Sequence, residues 1–442
     1  MKTRPLKLNR LLKKKIPFNW YYLVWWLGAI LIGLVAFLLS RGAIFSFELF
    51  SSITQQYPWW PFIGIPIGGI FLTWFMKKVG AGTEGSGIQQ TIAALRVTQH
   101  PEQVHWFVNL KLATAKFFAL IIGIGSGFVI GLEGPTVQIG ASIMYSFRRF
   151  LPFDNAILRR QLIMMGGAAG IAAAFNAPMA GIMFAFEEMW KNVESKTAAR
   201  IVLAIILAGL TAHFCNGKET YFGSVNAFMD ISPKVLPILL LVVIFGGLVG
   251  GLFSWLVVKA SLWLPASVVC FKKNHPYYFV TVCGLLLAMC GLFAPIFGSG
   301  AEMTNQLLHN QVVLPWYYMP FKFMAFLLSS LAGVPGGIFS PSLSLGAAVG
   351  NCFTGLVDPQ WQSLLLALSM IAVLSGVTRA PLTATFIIIE MTNGHSMIFS
   401  ALIAAYLASN TARVFHVSFY HDLAHRAIKN MPKTLVAQVI KH

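Results

Sequence analysis

The chain has 442 residues, of which 57% are hydrophobic and only 10% charged, with a mean hydropathy of +0.72. That composition excludes a soluble domain and makes lipid the solvent of most of the chain. The formal charge of +18, from 32 Lys and Arg against 14 Asp and Glu, belongs to membrane flanks and not to a nucleic-acid surface.

In chain order, the first element is a basic segment, residues 1–17, with Lys2, Arg4, Lys7, Arg10, Lys13, Lys14 and Lys15 and no acid in its first fifteen residues. It precedes the apolar run Trp20 to Leu39, so the positive-inside rule predicts a cytoplasmic N-terminus. The run is too long for a signal-peptide core and has no small-residue cleavage site. Further apolar segments are predicted near Pro58–Phe75, Leu110–Ile130, Pro135–Phe150, Ala156–Ala174, Pro178–Trp190, Ala198–Phe214 and Val235–Leu264. Others follow near Tyr277–Phe293, Trp316–Leu331, Pro341–Leu356, Trp361–Val377, Pro381–Met391 and Met397–Phe415. Several are shorter than the about 20 residues that a helix needs to cross hydrocarbon. Short helices that begin at Pro after Gly-rich breaks mark buried irregular backbone, which membranes tolerate only beside protein or a water-filled cavity.

The halves repeat. Ala174-Phe175-Asn176-Ala177-Pro178 running to Glu187 matches Val377-Thr378-Arg379-Ala380-Pro381 running to Glu390. Gly134-Pro135-Thr136-Val137-Gln138-Ile139-Gly140-Ala141 matches Ser340-Pro341-Ser342-Leu343-Ser344-Leu345-Gly346-Ala347 at nearly the same offset, about 205 residues, which sets Glu133 opposite Phe339. The layout expected is a first membrane repeat at 18–215, a linker at 216–234, a second repeat at 235–428 and a short tail at 429–442.

Gly/Pro-interrupted segments at corresponding places in two repeats point to a transported substrate's site. Helix N-termini present unpaired N–H groups and a partial positive charge, so several of them converging make an anion site without a buried cation. Such starts follow Gly85-Ser86-Gly87-Ile88, Gly131 to Pro135, and Gly337-Ile338-Phe339-Ser340-Pro341. Glu133 stands where an anion would sit. Charged, its carboxylate competes for the N–H donors; protonated, it releases them. The plainer alternative is a glutamate that only caps its helix.

Glu187 and Glu188 are neighbours near the end of one apolar helix and diverge by about 100°. Glu187 has a repeat partner in Glu390, which suggests a structural task; Glu188 aligns with Met391, which makes it the better proton relay, with a water-exposed carboxylate as the alternative. Ser86 offers a hydroxyl beside its helix start, although Gly-Ser-Gly alone is more often a plain turn. Tyr420 follows the last long apolar segment and reads as an interfacial tyrosine or as a donor to the pathway. Arg148-Arg149, Arg159-Arg160 and Lys272-Lys273 read as membrane flanks. The five cysteines (Cys215, Cys270, Cys283, Cys290 and Cys352) and ten histidines show no metal-ligand spacing, and no H-E-x-x-H or Gly-x-Ser-x-Gly set suggests an enzyme.

Taken in order, Gly85-Ser86-Gly87-Ile88, Gly131-Leu132-Glu133-Gly134-Pro135, Asn176-Ala177-Pro178 through Glu187-Glu188-Met189, and Gly337-Ile338-Phe339-Ser340-Pro341 resemble the CLC chloride channel and transporter family, from about Gly80 to Tyr420. The resemblance implies an all-α polytopic membrane protein of two inverted repeats, a homodimer with one anion pathway per subunit, and neither cofactor, metal nor nucleic-acid partner. It implies that the Ser86 and Tyr420 hydroxyls and the N–H groups of Ile338 and Phe339 bind a central chloride. It makes Glu133 the external gating glutamate and Glu188 the internal proton glutamate. Both glutamates together favour a chloride/proton antiporter over a passive channel, and Ser86 favours chloride over nitrate. A bacterial inner membrane, with both termini cytoplasmic, is the expected location. Two positions depart from the family pattern: Gln89 stands where Pro is usual, and Leu132 where a basic residue precedes the gating glutamate.

Overall fold

The computed structural model describes residues 21–80, 82–151, 154–189, 195–217, 221–224 and 233–432. The basic segment 1–17 lies outside the described residues, as do most of the linker and the tail beyond 432. Among the described residues the chain is helical with no strand, its one β-type pairing being an isolated antiparallel bridge between Gly131 and Gly337.

The first half comprises α1 (Tyr21–Gln56), α2 (Pro61–Lys78), α3 (Ile88–Arg96), α4 (Pro101–Phe107), α5 (Leu110–Gly125), α6 (Glu133–Ser146), α7 (Ala156–Phe175), α8 (Pro178–Phe184) and α9 (Ser195–Asn216). The second comprises α10 (Leu236–Val258), α11 (Ala260–Trp263), α12 (Ala266–Asn274), α13 (Pro276–Phe293), α14 (Ala301–Leu308), α15 (Tyr318–Ala332), α16 (Phe339–Asn351), α17 (Pro359–Thr378), α18 (Pro381–Thr392), α19 (Ile398–Ala412) and α20 (Phe419–Lys429). Seven stretches among the described residues are long and apolar enough to span a bilayer. By contrast α6, with 14 residues, is about 21 Å long and ends inside a ~30 Å hydrocarbon layer.

Several sequence-derived boundaries move, two of them by a large margin. The first helix continues past Leu39 to Gln56, because its polar residues are satisfied within the helix: Arg41 lies over the Phe37 ring at 5.5 Å and Ser52 donates to the Glu48 carbonyl at 2.8 Å. The run Val235–Leu264 is not one element, since α10 stops at Val258 and the short α11 follows.

The repeats match element for element where it matters. Helices α7 and α17 both end on a left-handed residue, Asn176 (φ 55°) and Arg379 (φ 60°), and both restart after Ala-Pro as α8 and α18. Proline pre-sets the first helical turn and keeps the residue before it out of the helix. Close helix contact depends on small residues, as expected where lipid supplies no hydrophobic drive. A Cβ on Gly140 of α6 would collide with the Gly166 carbonyl of α7, and one on Gly346 of α16 with the Met370 backbone of α17.

Two sets of reciprocal bonds reveal the inverted relation. Gly131 N–H donates to the Gly337 carbonyl at 2.8 Å and Gly337 N–H returns a bond to Gly131 at 2.6 Å. Glu187 accepts from Leu382 N–H (2.8 Å), Thr383 N–H (2.7 Å) and Thr383 Oγ1 (2.7 Å), so it caps α18. Glu390 accepts from Met179 N–H (3.0 Å) and Ala180 N–H (2.7 Å), so it caps α8. Each repeat's glutamate thus seals the other repeat's orphan helix start, which is the shared structural task that their alignment suggests.

Candidate functional site

Three loop-to-helix junctions meet at the Gly131–Gly337 bridge. Gly85 follows the turn at Thr83, and its carbonyl accepts Gly336 N–H at 3.1 Å. The Lys116 ammonium, fully buried on α5, donates to the Thr83 and Gly85 carbonyls at 2.6 Å each, which fixes the loop that carries Ser86. Gly134 is required for the junction: a Cβ there would stand 2.9 Å from the Ser86 carbonyl oxygen, closer still to Ser86 Oγ, and 3.2 Å from Gly337 Cα. The N-termini of α3, α6 and α16 therefore point into one buried region.

Glu133 opens α6 and is 1% exposed. Its carboxylate folds back over Gly131 and lies on the start of α16 in the other repeat. Oε2 accepts Ser340 N–H at 3.4 Å, and Oε1 accepts a short bond from Ser340 Oγ. The carboxylate reaches its own backbone N–H and also lies on the start of the opposite helix. Tyr221, from the linker, lies with its phenol against Ser340, near the Glu133 charge. Burial first, and then that charge, push this phenol up, so it stays protonated as a donor.

Ser86 is 4% and Tyr420 1% exposed; the phenol stands within electrostatic reach of Ser86, Glu188 and Glu133. The two hydroxyls face each other, and neither makes a well-formed hydrogen bond among the described residues. Buried polar groups are paired in the great majority of cases, so two orphaned hydroxyls beside helix N-termini fit a small anion. The N–H groups of Ile338 and Phe339 open α16 at the same place and enter no loop or cap bond among the described residues. The Phe339 ring is held by Phe175 (5.8 Å, edge-on), Phe184 (6.3 Å, edge-on) and Tyr420 (6.2 Å, stacked), which orients both the ring and the phenol. All six residues singled out from the sequence are buried. Glu133, Ser86, Tyr420, Ile338 and Phe339 surround one region, and Glu188 lies beyond Tyr420.

A cavity of about 440 Å³ leads to this region from one side. It runs from Ser86, Gly337 and Ile338 past Val257 and Leu264 to Lys272 and Arg426. Gln89 and Leu132 show what the two departures do locally. The Gln89 side chain folds back on Gly85, where its Nε2 would stand 2.6 Å from an added Cβ. Leu132 is 6% exposed and packs as core, so no cation stands beside Glu133 at that position.

Glu188 belongs to a π-helical turn, Ala185–Met189, and not to a continuous α-helix. Such turns are frequent at functional sites. The turn directs Glu187 to α18, while Glu188, 8% exposed, faces α20, where His421 Nε2 stands 3.8 Å from its Oε2. Sequence reasoning passes over Ser340, His421 and Lys116. Ser340 is reachable in principle, since the repeat sets Glu133 beside its position. Lys116 carries a signal too, as a lysine well inside an apolar run, beyond Lys111 at its start, whose repeat counterpart, Lys322, is also fully buried and donates to the Ile296 carbonyl at 3.0 Å.

This is a polytopic membrane protein of two inverted repeats that meet at a buried junction of helix N-termini. Residues 68–413 match the family described as voltage gated chloride channel, and the chain belongs to that family. It is similar to the H(+)/Cl(-) exchange transporter ClcA of Vibrio vulnificus, 30% identical over 367 residues, which cover 78% of this chain and 75% of that protein. ClcA of Vibrio cholerae is 28% identical over 452 residues, 96% of this chain and 93% of that one. The voltage-gated ClC-type chloride channel ClcB of Salmonella dublin is 28% identical over 382 residues, 83% of this chain and 88% of that protein. Among solved structures, a slow cyanobacterial Cl-/H+ antiporter superposes with a TM-score of 0.77 at 22% identity, covering 92% of this chain and 99% of that one.

Proposed function

We propose that this chain exchanges chloride for protons across a membrane, with Glu133 as the gate. The observation that carries the reading is the Glu133 carboxylate seated on the Ser340 N–H and hydroxyl at the start of α16. A charged carboxylate there excludes chloride by holding the same donors. A proton on Glu133 removes the charge, the donors turn to chloride, and the anion moves between this place and the Ser86, Tyr420, Ile338 and Phe339 donors. Glu188 passes the proton between Glu133 and water on the side of the cavity. The names of the ClcA relatives support the exchange.

The sidedness follows from charge. The basic N-terminal segment supports cytoplasmic termini, and the Lys272 and Arg426 lining of the cavity, against the one acid Glu84, supports a cytoplasmic assignment for that side. Glu133 then faces outwards. The unit expected is a homodimer in a bacterial inner membrane, laid out as repeats 18–215 and 235–428.

The test is the reversal potential of the full chain in liposomes under combined chloride and pH gradients. Coupled exchange makes the potential depend on both gradients, and a chloride gradient drives protons uphill. A potential that follows chloride alone overturns the reading. The second reading, a passive chloride channel, is favoured by Leu132, which leaves Glu133 without an adjacent cation, and by the likeness to ClcB. Glu133→Gln separates the two. In an exchanger it abolishes proton movement and leaves chloride flux; in a channel no proton movement exists to lose.

A further inference from the structure

Helix α20 begins with two functional neighbours. Tyr420 and His421 differ by about 100° around the helix axis, so they address different partners. Tyr420 turns to the Ser86 region, while His421 stands between Glu188 and Arg96, the last residue of α3. Asp422 fixes the helix start by accepting Ser418 N–H at 3.0 Å, which holds this pair of side chains in register.

The protonation pattern of His421 follows from its neighbour. Arg96 donates to His421 Nδ1 at 3.0 Å. A guanidinium has five donors and no acceptor, so Nδ1 must offer its lone pair, and the neutral ring carries its hydrogen on Nε2. That Nε2–H faces Glu188 Oε2, 3.8 Å away. Exposure rises along the series, from 7% for the Glu188 side chain to 27% for His421, with Arg96 exposed. Among the described residues, the titratable and charged groups that face Glu188 include His421 and Tyr420 from α20, with Arg96 of α3 behind the imidazole. Helix α7 packs on the π-helical turn at Gly167, within a stretch from Leu162 to Phe175 that has no charged residue, and the adjacent Glu187 is engaged in capping α18.

We propose that His421, oriented by Arg96, is a positioning residue for Glu188 that presents an Nε2–H donor to the carboxylate and sets the pH range of its proton exchange. The inference rests on the proton role proposed for Glu188. A donor and a nearby fixed cation favour the charged carboxylate, so their removal moves proton uptake by Glu188 to higher pH.

The experiment measures proton and chloride transport of the reconstituted full chain from pH 4 to pH 8, roughly the range over which carboxylates and imidazoles titrate. Glu188→Gln, His421→Leu, His421→Gln and Arg96→Met are compared with the parent. Glu188→Gln loses proton transport; if it does not, the role of Glu188 falls and the inference with it. His421→Leu moves the midpoint of proton transport up by about one pH unit, the chloride profile moving with it and the maximal chloride flux staying that of the parent. Arg96→Met moves it the same way, and His421→Gln, which keeps an N–H donor, returns it towards the parent. If Glu188→Gln is inactive for protons while His421→Leu keeps the parent's midpoint, or lowers both fluxes equally without moving it, the inference alone is overturned.

Discussion

Replacing Ser340 with alanine isolates what holds the proposed Glu133 gate in place. The hydroxyl donates a short bond to Glu133 Oε1 inside a site that is 1% exposed, while Ser340 N–H, at 3.4 Å from Oε2, is unaffected by the change. A hydrogen bond to a charged group contributes about 1.5–3 kcal/mol, and about 1.4 kcal/mol is a factor of ten in an equilibrium. The seated carboxylate therefore loses roughly ten- to hundredfold in population relative to conformations in which chloride has displaced it. Two measurements follow. Chloride binding to the purified protein by calorimetry tightens at least about tenfold, because its competitor is weaker. Chloride flux in liposomes rises under conditions in which Glu133 is charged. Ser340→Thr, which keeps a hydroxyl, stays near the parent. If Ser340→Ala matches the parent in both affinity and flux, Ser340 does not hold the carboxylate and the competition mechanism loses its geometric basis.

Three further outcomes are expected. Gly134→Ala forces a methyl against Ser86 Oγ and the Ser86 carbonyl, contacts that cannot relax without parting the junction, so calorimetry detects chloride binding weakened by more than about tenfold. Lys116→Met leaves the Thr83 and Gly85 carbonyls without their cation and lowers stability by about 2–3 kcal/mol, read as a reduced melting temperature in detergent together with weaker chloride binding. Glu187→Ala and Glu390→Ala each uncap a helix start in the opposite repeat and lower stability by about 2 kcal/mol, while the exchange stoichiometry of the surviving protein stays that of the parent. A changed stoichiometry in either variant would give that glutamate a part in proton transfer instead of a cap.

Much of the fold was legible in the sequence because its signals are local. Proline at helix starts, glycine before them and apolar runs too short to span are properties of a few consecutive residues, and the repeat offset needs only a comparison of two segments. The Glu187–Glu390 alignment pointed to a common task, and the structure makes that task reciprocal capping. Other features were hidden for physical reasons. The π-helical turn at Ala185–Met189 leaves no periodic trace in so short a stretch. The apolar run ends at Leu39, before Arg41 and Glu48, whereas α1 continues to Gln56, with Arg41 over the Phe37 ring and Glu48 exposed. His421 reads as one of ten scattered histidines until α20 sets it beside Glu188.

By itself the sequence determined that the chain lives in lipid, that it is duplicated, and that Glu133 is an acid placed among helix starts suited to an anion. Only the tertiary structure decided that its carboxylate would rest on Ser340 of the other repeat, that Lys116 would brace the Ser86 loop, and that the two orphaned hydroxyls of Ser86 and Tyr420 would be brought to one place. The reason is distance along the chain. Propensity and capping act within about four residues, whereas the Lys116 bonds reach across 33 and 31 residues and the Glu133 and Tyr420 contacts join the halves of a duplicated chain, which pack about the Gly131–Gly337 bridge.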